Sequence, residues 1–137
     1  MTSLFADTSA LYAAADRREQ GHDTCRLAYE QALRSGETIV TTELVVAELH
    51  ALVVRRSHPD AALEIVRRLT TTGRVDVETV GSARLASAID LLAARPGRPY
   101  SLADAVSFAV MRERGIQRAL TLDTDFEAEG FEVLPAI

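Results

Sequence analysis

A chain of 137 residues holds one folding unit with little room for a second, and with 47% apolar residues it can close a core without disulfides or a structural zinc. A net charge of −5 argues against a protein that grips nucleic acid through bulk positive potential, although all 15 cationic residues are arginine, a side chain suited to bidentate phosphate or carboxylate contacts. The only cysteine, Cys25, excludes an internal disulfide and a thiolate zinc cluster, and its step with Ala28, Tyr29, Ala32 and Leu33 reads as a buried helical stripe.

In chain order, Leu4-Phe5-Ala6 reads as a short buried strand that delivers Asp7 at its end. Asp7 interrupts the first apolar run, so no secretory h-region forms, and no stretch approaches the roughly 20 apolar residues needed to cross a bilayer. The expected location is cytoplasmic. Residues 9–15 form a short helix, 17–21 a polar loop, and 22–34 a second helix stopped by Gly36. Residues 38–41 suit a β-branched strand. Helices follow over 43–56 and 59–69, the latter opened by Pro59. Residues 75–80 alternate as a half-exposed strand, and 82–94 are amphipathic until Arg95-Pro96-Gly97-Arg98-Pro99 breaks them. A helix over 101–114 ends at Gly115, a strand over 119–122 runs into Asp123, and a last strand covers 132–134. Alternating apolar runs and amphipathic helices imply an α/β fold around a mainly parallel sheet, as one domain over residues 1–137.

Four acids stand where acids are costly. Asp7 and Asp123 follow apolar strands, and functional groups gather at the carboxyl ends of strands in open α/β sheets. Glu48 is one of two polar residues between Leu44 and Val54 and shares a helical face with Leu44, Val45, Ala51 and Leu52. A carboxylate there must be paired with an arginine, solvated at a flank, protonated or metal-bound. Asp104 fits two readings: the third position of a capping box begun by Ser101, or an inward ligand on a helix apolar on two sides, with Leu102, Val106, Ala109 and Val110 on one and Phe108 and Met111 on the other. Asp125, two residues after Asp123, either binds a second ion or is a solvated loop acid. Two carboxylates about 4 Å apart repel by about 4 kcal/mol at an effective dielectric near 20, so four converging acids require a cation. Oxygen ligands without His or Cys favour Mg²⁺ or Mn²⁺. His22, His50 and His58 lack zinc-ligand spacing, and neither a phosphate-binding Gly-rich loop with lysine nor a Gly-x-Ser-x-Gly nucleophile turn occurs.

At Phe-Ala-Asp-Thr-Ser-Ala-Leu (5–11), Thr-Thr-Glu-Leu-Val-Val-Ala-Glu-Leu (41–49), Ser-Leu-Ala-Asp-Ala-Val-Ser-Phe-Ala (101–109) and Thr-Leu-Asp-Thr-Asp-Phe (121–126), the chain resembles the PIN-domain ribonucleases, specifically VapC-type toxins of toxin–antitoxin pairs. The resemblance implies a three-layer sandwich with a central sheet of four or five strands. It assigns the acidic quartet to Asp7, Glu48, Asp104 and Asp123, with Thr8 or Ser9 as a neighbouring hydroxyl and Asp125 at an often acidic position, and it prefers Glu48 to Glu43. It further implies an Mg²⁺- or Mn²⁺-dependent endoribonuclease that cuts structured RNA (transfer or ribosomal), a homodimer, and neutralisation by a VapB-type antitoxin. Surplus apolar surface on 44–54 and on the helix from Pro59 suits a dimer or antitoxin groove, or plain core packing. Arg17-Arg18 and Arg55-Arg56 are candidate phosphate contacts or solvated surface. A phosphoacceptor receiver domain is excluded because its chemistry needs a lysine; the alternative that stands is a non-catalytic acidic-pocket binding module.

Overall fold

The computed structural model describes residues 2–135. Apolar, β-branched runs make the strands β1 (Ser3–Ala6), β2 (Thr38–Thr42), β3 (Val75–Glu78), β4 (Arg118–Leu120) and β5 (Glu132–Leu134). All pair in parallel, in the order β3-β2-β1-β4-β5. β1 is central. The chain first builds outward from one edge of β1 and then returns to the other, so the strand order reverses between β1 and β4. Crevices for ligands open at the carboxyl ends of strands at such a point.

Among the described residues, seven helices flank the sheet in two groups. α1 (Thr8–Ala15), α2 (His22–Arg34), α3 (Glu43–Arg56) and α4 (Pro59–Thr71) pack on one another, while α5 (Gly81–Ala94) packs on α6 (Leu102–Arg114). The seventh, α7 (Asp125–Ala128), is a single turn that the sequence reading leaves as loop. α3 buries Val45, Leu49 and Val53, a strict i, i+4, i+8 stripe, and is capped by Thr42 Oγ1 accepting from Val45 N–H at 3.2 Å. His58 caps α4 by accepting from Ala61 N–H, with Pro59 in the first turn, so this histidine has a structural task. α6 ends on Gly115 at φ +67°, the left-handed conformation that a side chain would strain.

Phe5, Phe108 and Phe126 are fully buried and join β1, α6 and α7, with ring centroids 6.0 Å (Phe5–Phe126) and 4.9 Å (Phe108–Phe126) apart. Cys25 is also fully buried. Beside this core, Glu129 accepts from Tyr100 Oη at 2.9 Å and pairs with Arg95 and Arg112, which ties α7 to both ends of the α5–α6 pair.

Several sequence expectations need correction. β3 ends at Glu78 rather than Val80, because Val80 N–H turns away to donate to Glu43 Oε1. α4 continues to Thr71, two residues past the expected end. Leu102 does not line a buried side of α6: it is 40% exposed at the first turn. Arg18 is committed to Asp16 and Arg56 to Glu19, so neither arginine pair is wholly available to a phosphate. Among the described residues no helix is long and apolar enough to cross a membrane.

Candidate active site

β1 is apolar through Ala6, so its first ionisable side chain emerges at the carboxyl edge of the sheet. Asp7 N–H donates to Leu120 O at 3.0 Å, tying the end of β1 to the end of β4, and Asp7 O accepts from Leu11 N–H to start α1. The residue is only 5% exposed. Its Oδ2 accepts from Thr121 Oγ1 at 2.9 Å and from Ser9 Oγ at 3.1 Å. The same two hydroxyls accept backbone donors in turn: Thr121 from Asp123 N–H at 3.0 Å, Ser9 from Leu122 N–H at 2.9 Å.

This relay explains why β4 stops at Leu120 and not, as expected, at Leu122. Thr121 N–H still bonds Leu134 O in the manner of a strand, but Leu122 N–H is taken by Ser9. The chain therefore turns, and Asp123 stands three residues beyond the strand rather than directly on its end. Asp123 Oδ1 accepts from Asp125 N–H at 3.0 Å, which starts α7 and makes Asp125 a half-buried first-turn residue rather than a freely solvated loop acid.

Asp104 does both things that its sequence allows. Its N–H donates to Ser101 Oγ at 3.0 Å and its Oδ2 accepts from Ser101 N–H at 3.1 Å, a complete capping box. The cap does not withdraw it from the cleft. One carboxylate oxygen from each of Asp104, Asp123 and Asp125 lies within 4.8 Å of the other two.

Glu48 departs from the expectation of an acid on a buried apolar face. The buried stripe of α3 is Val45, Leu49 and Val53, and Glu48 lies beside it on the exposed flank. One residue step, about 100° of helix rotation, separates the two. Its Oε1 accepts from Thr8 Oγ1 at 2.9 Å, which fastens it to the first residue of α1, directly after Asp7.

The electrostatics report a crowded acidic cleft. Burial raises the Asp7 carboxyl above its ordinary 3.8, against the Thr121, Thr8 and Ser9 hydrogen bonds, and the Asp123 charge raises it further. Asp104 is raised first by burial and then by Asp7 and Asp123, against its bonds to Ser101. Asp125 is raised by burial, Asp123 and Asp104. Glu48 is raised by partial burial of its carboxylate and by Asp104, with the Thr8 bond opposing. Asp7, Glu48, Asp104, Asp123 and Asp125 thus act on one another, and among the described residues none forms an ion pair with an arginine.

A hard divalent cation fits this donor set. Asp104, Asp123 and Asp125 offer oxygen ligands only, close enough to share one ion, while Asp7 and Glu48 stand outside that trio and add negative charge to it; among the described residues no arginine is ion-paired to any of the five. The residue that sequence reasoning missed is Thr121, which orients Asp7 and Asp123 together. Its only signal was a hydroxyl between two leucines where a buried strand needs none.

The comparisons with known proteins agree with this fold. The family model described as PIN domain matches residues 4–131. A curated relative, the 23S rRNA-specific endonuclease VapC20 of Mycobacterium tuberculosis, is 35% identical over 134 residues, covering 96% of this chain and 98% of its own length. Ribonuclease VapC26 of the same organism is 29% identical over 120 residues, covering 88% of this chain and 86% of its own. Among solved structures, M. tuberculosis VapC20, described as a sarcin–ricin loop cleaving toxin, superposes with a TM-score of 0.84 at 33% identity, over 94% of this chain and 96% of the other. VapBC2 from Rickettsia felis, bound to a DNA fragment from its promoter, matches in fold with a TM-score of 0.71 at 12% identity, over 96% and 97%.

Proposed function

The chain belongs to the PIN-domain family, among its VapC-type ribonucleases, and from that premise we propose that it is an Mg²⁺-dependent endoribonuclease toxin acting on structured RNA. The observation that carries this reading is the convergence of the Asp104, Asp123 and Asp125 carboxylates, with the charges of Asp7 and Glu48 acting on Asp104 and no arginine ion-paired to any of the five among the described residues, at the point where the strand order reverses. A binding module that merely docks a partner needs no such concentration of like charge, and the relatives named as nucleases do not favour it.

Asp7, Asp104 and Asp123, with Asp125 beside them, would hold the ion, and Mn²⁺ has the same ligand preference. A bound ion supplies Lewis acidity toward the scissile phosphate and the attacking water. The protein's own part is alignment. Thr121 and Ser9 hold Asp7 in one rotamer by two hydrogen bonds to Oδ2, and Thr121 fixes the turn that carries Asp123. The Ser101 cap fixes Asp104. Glu48, held by Thr8 and raised above the ordinary 4.5, is our candidate to orient the water and accept its proton as the P–O bond to the leaving ribose breaks.

Ribosomal RNA is the favoured substrate over transfer RNA, because the 35% identical relative that spans nearly the whole chain is named for 23S rRNA. The site of action is then the cytoplasm. We further propose that residues 1–137 act as one domain, as a homodimer held in check by a VapB-type antitoxin. Two surfaces support partners: the apolar flank of α5, with Leu85 and Ile89 exposed, and a groove of about 870 Å³ between α1–α2 and α4, floored by Leu11, Ala14, Leu49 and Leu69. The surplus apolar surface expected on α3 and α4 borders that groove.

The test is incubation of purified protein, free of antitoxin, with ribosomal RNA in Mg²⁺ or in EDTA, followed by mapping of new 5′ ends. Discrete fragments in Mg²⁺ alone are expected. RNA left intact in both conditions would return the protein to the binding-module reading.

A further inference from the structure

An acidic cleft that receives a polyanion needs a cation at its rim, and the arginines of this chain are mostly spoken for. Arg95 and Arg112 are both held by Glu129. Arg84 and Arg114 are held by Glu78, and Arg118 by Glu37. Arg98 differs. It is exposed, and among the described residues it forms no ion pair.

Its backbone is also unusually well anchored for an exposed arginine. Arg98 N–H donates to Arg95 O at 3.2 Å, closing a turn through Gly97 at φ +84° between Pro96 and Pro99. Two residues on, Tyr100 is buried edge-on against Phe108 at 5.2 Å and bonded to Glu129, and Ser101 then caps the helix of Asp104. The turn therefore cannot drift far from the acids.

We propose that Arg98 is an RNA-binding residue of the active site, holding a backbone phosphate next to the scissile one. Only Pro99 and Tyr100 separate Arg98 from Ser101, whose side chain and N–H hold Asp104, so chain continuity keeps the turn at the edge of the carboxylate cluster, and the Arg98 charge lowers the Asp125 carboxyl against its burial. The guanidinium, exposed and without an ion pair among the described residues, is free to take an anion at that edge. That arrangement suits a fork donating two hydrogen bonds to a phosphate that arrives with the substrate. The inference rests on the nuclease reading above.

The test uses the hairpin RNA spanning the cut mapped for the wild-type protein. Binding is followed by fluorescence anisotropy in the cleavage-disabled D7N background, with Arg98→Ala, Arg98→Lys and, as a charge control on α4, Arg67→Ala. R98A is expected to weaken binding about tenfold, the lower end for a charge-assisted contact. The slope of log affinity against log salt should flatten by about 0.7, one phosphate contact to single-stranded RNA. R98K should recover part of the affinity and all of the slope, which a folding defect would not allow. R98A binding with wild-type affinity and slope, or R67A matching the R98A loss, overturns the proposal. Failure of the wild-type protein to cut any RNA instead overturns the nuclease reading, and the two failures are distinct.

Discussion

Replacing Asp125 with Asn tests whether the acids really press on one another. The perturbation removes one charge from a trio whose carboxylate oxygens lie within 4.8 Å. Each such pair repels by about 3.5 kcal/mol at an effective dielectric near 20. The cleft opens to water, so screening and hydration leave a fraction of that sum. Losing a first-turn acid from the single-turn α7 gives back less than about 1 kcal/mol. We expect the metal-free D125N protein to gain about 2 kcal/mol at pH 7 in low salt, or a rise of roughly 6 °C in Tm. The gain has a sign in pH. The folded pKa of Asp125 lies above its ordinary 3.8, so the folded state binds the proton more tightly than the unfolded chain. The contribution of Asp125 to stability is then greatest below 3.8 and is lost as pH rises through the folded value. The advantage of D125N should therefore vanish near pH 4. Urea unfolding in EDTA at both pH values, with and without 0.5 M salt as roughly a fourfold shortening of the screening range relative to dilute buffer, measures it. A destabilised D125N, or an equal gain at both pH values, would refute the repulsion on which the proposed metal site depends.

Other expectations follow from the same contacts. Asp7→Asn keeps an oxygen for Thr121 and Ser9 but removes a charge from a nearly buried site, so cleavage of ribosomal RNA should disappear while urea unfolding without metal shows equal or greater stability. Marked destabilisation would assign Asp7 a structural role instead. Glu129→Gln breaks a buried carboxylate from Tyr100, Arg95 and Arg112 and should cost about 3 kcal/mol, read as a fall in Tm near neutral pH. Because the Glu129 pKa is held below 4.5 by Arg112, Tyr100 and Arg95 against its burial, its contribution is complete above 4.5 and fades as pH falls through the folded value. The E129Q and wild-type proteins should thus converge in stability in acid.

The chain by itself determined most of the local structure and the identity of the acids. Periodicity placed α2, α3, α5 and α6 to within a residue, because an apolar stripe, a cap and a glycine stop are all local properties. Asp7, Glu48, Asp104, Asp123 and Asp125 were visible as acids beside apolar runs or beside one another. Pattern could not reveal what hydrogen bonds across the fold would do. Ser9 and Thr121 lie 112 residues apart, and their bonds to Asp7 and to the backbone after β4 set where Asp123 stands. The rotation of α3 that leaves Glu48 on a flank, the pairing that occupies Arg18 and Arg56, and the isolation of Arg98 were likewise decided by tertiary contacts. A sequence states which side chains want to leave water; only packing decides which neighbours they meet, and an acidic cleft is made of those meetings.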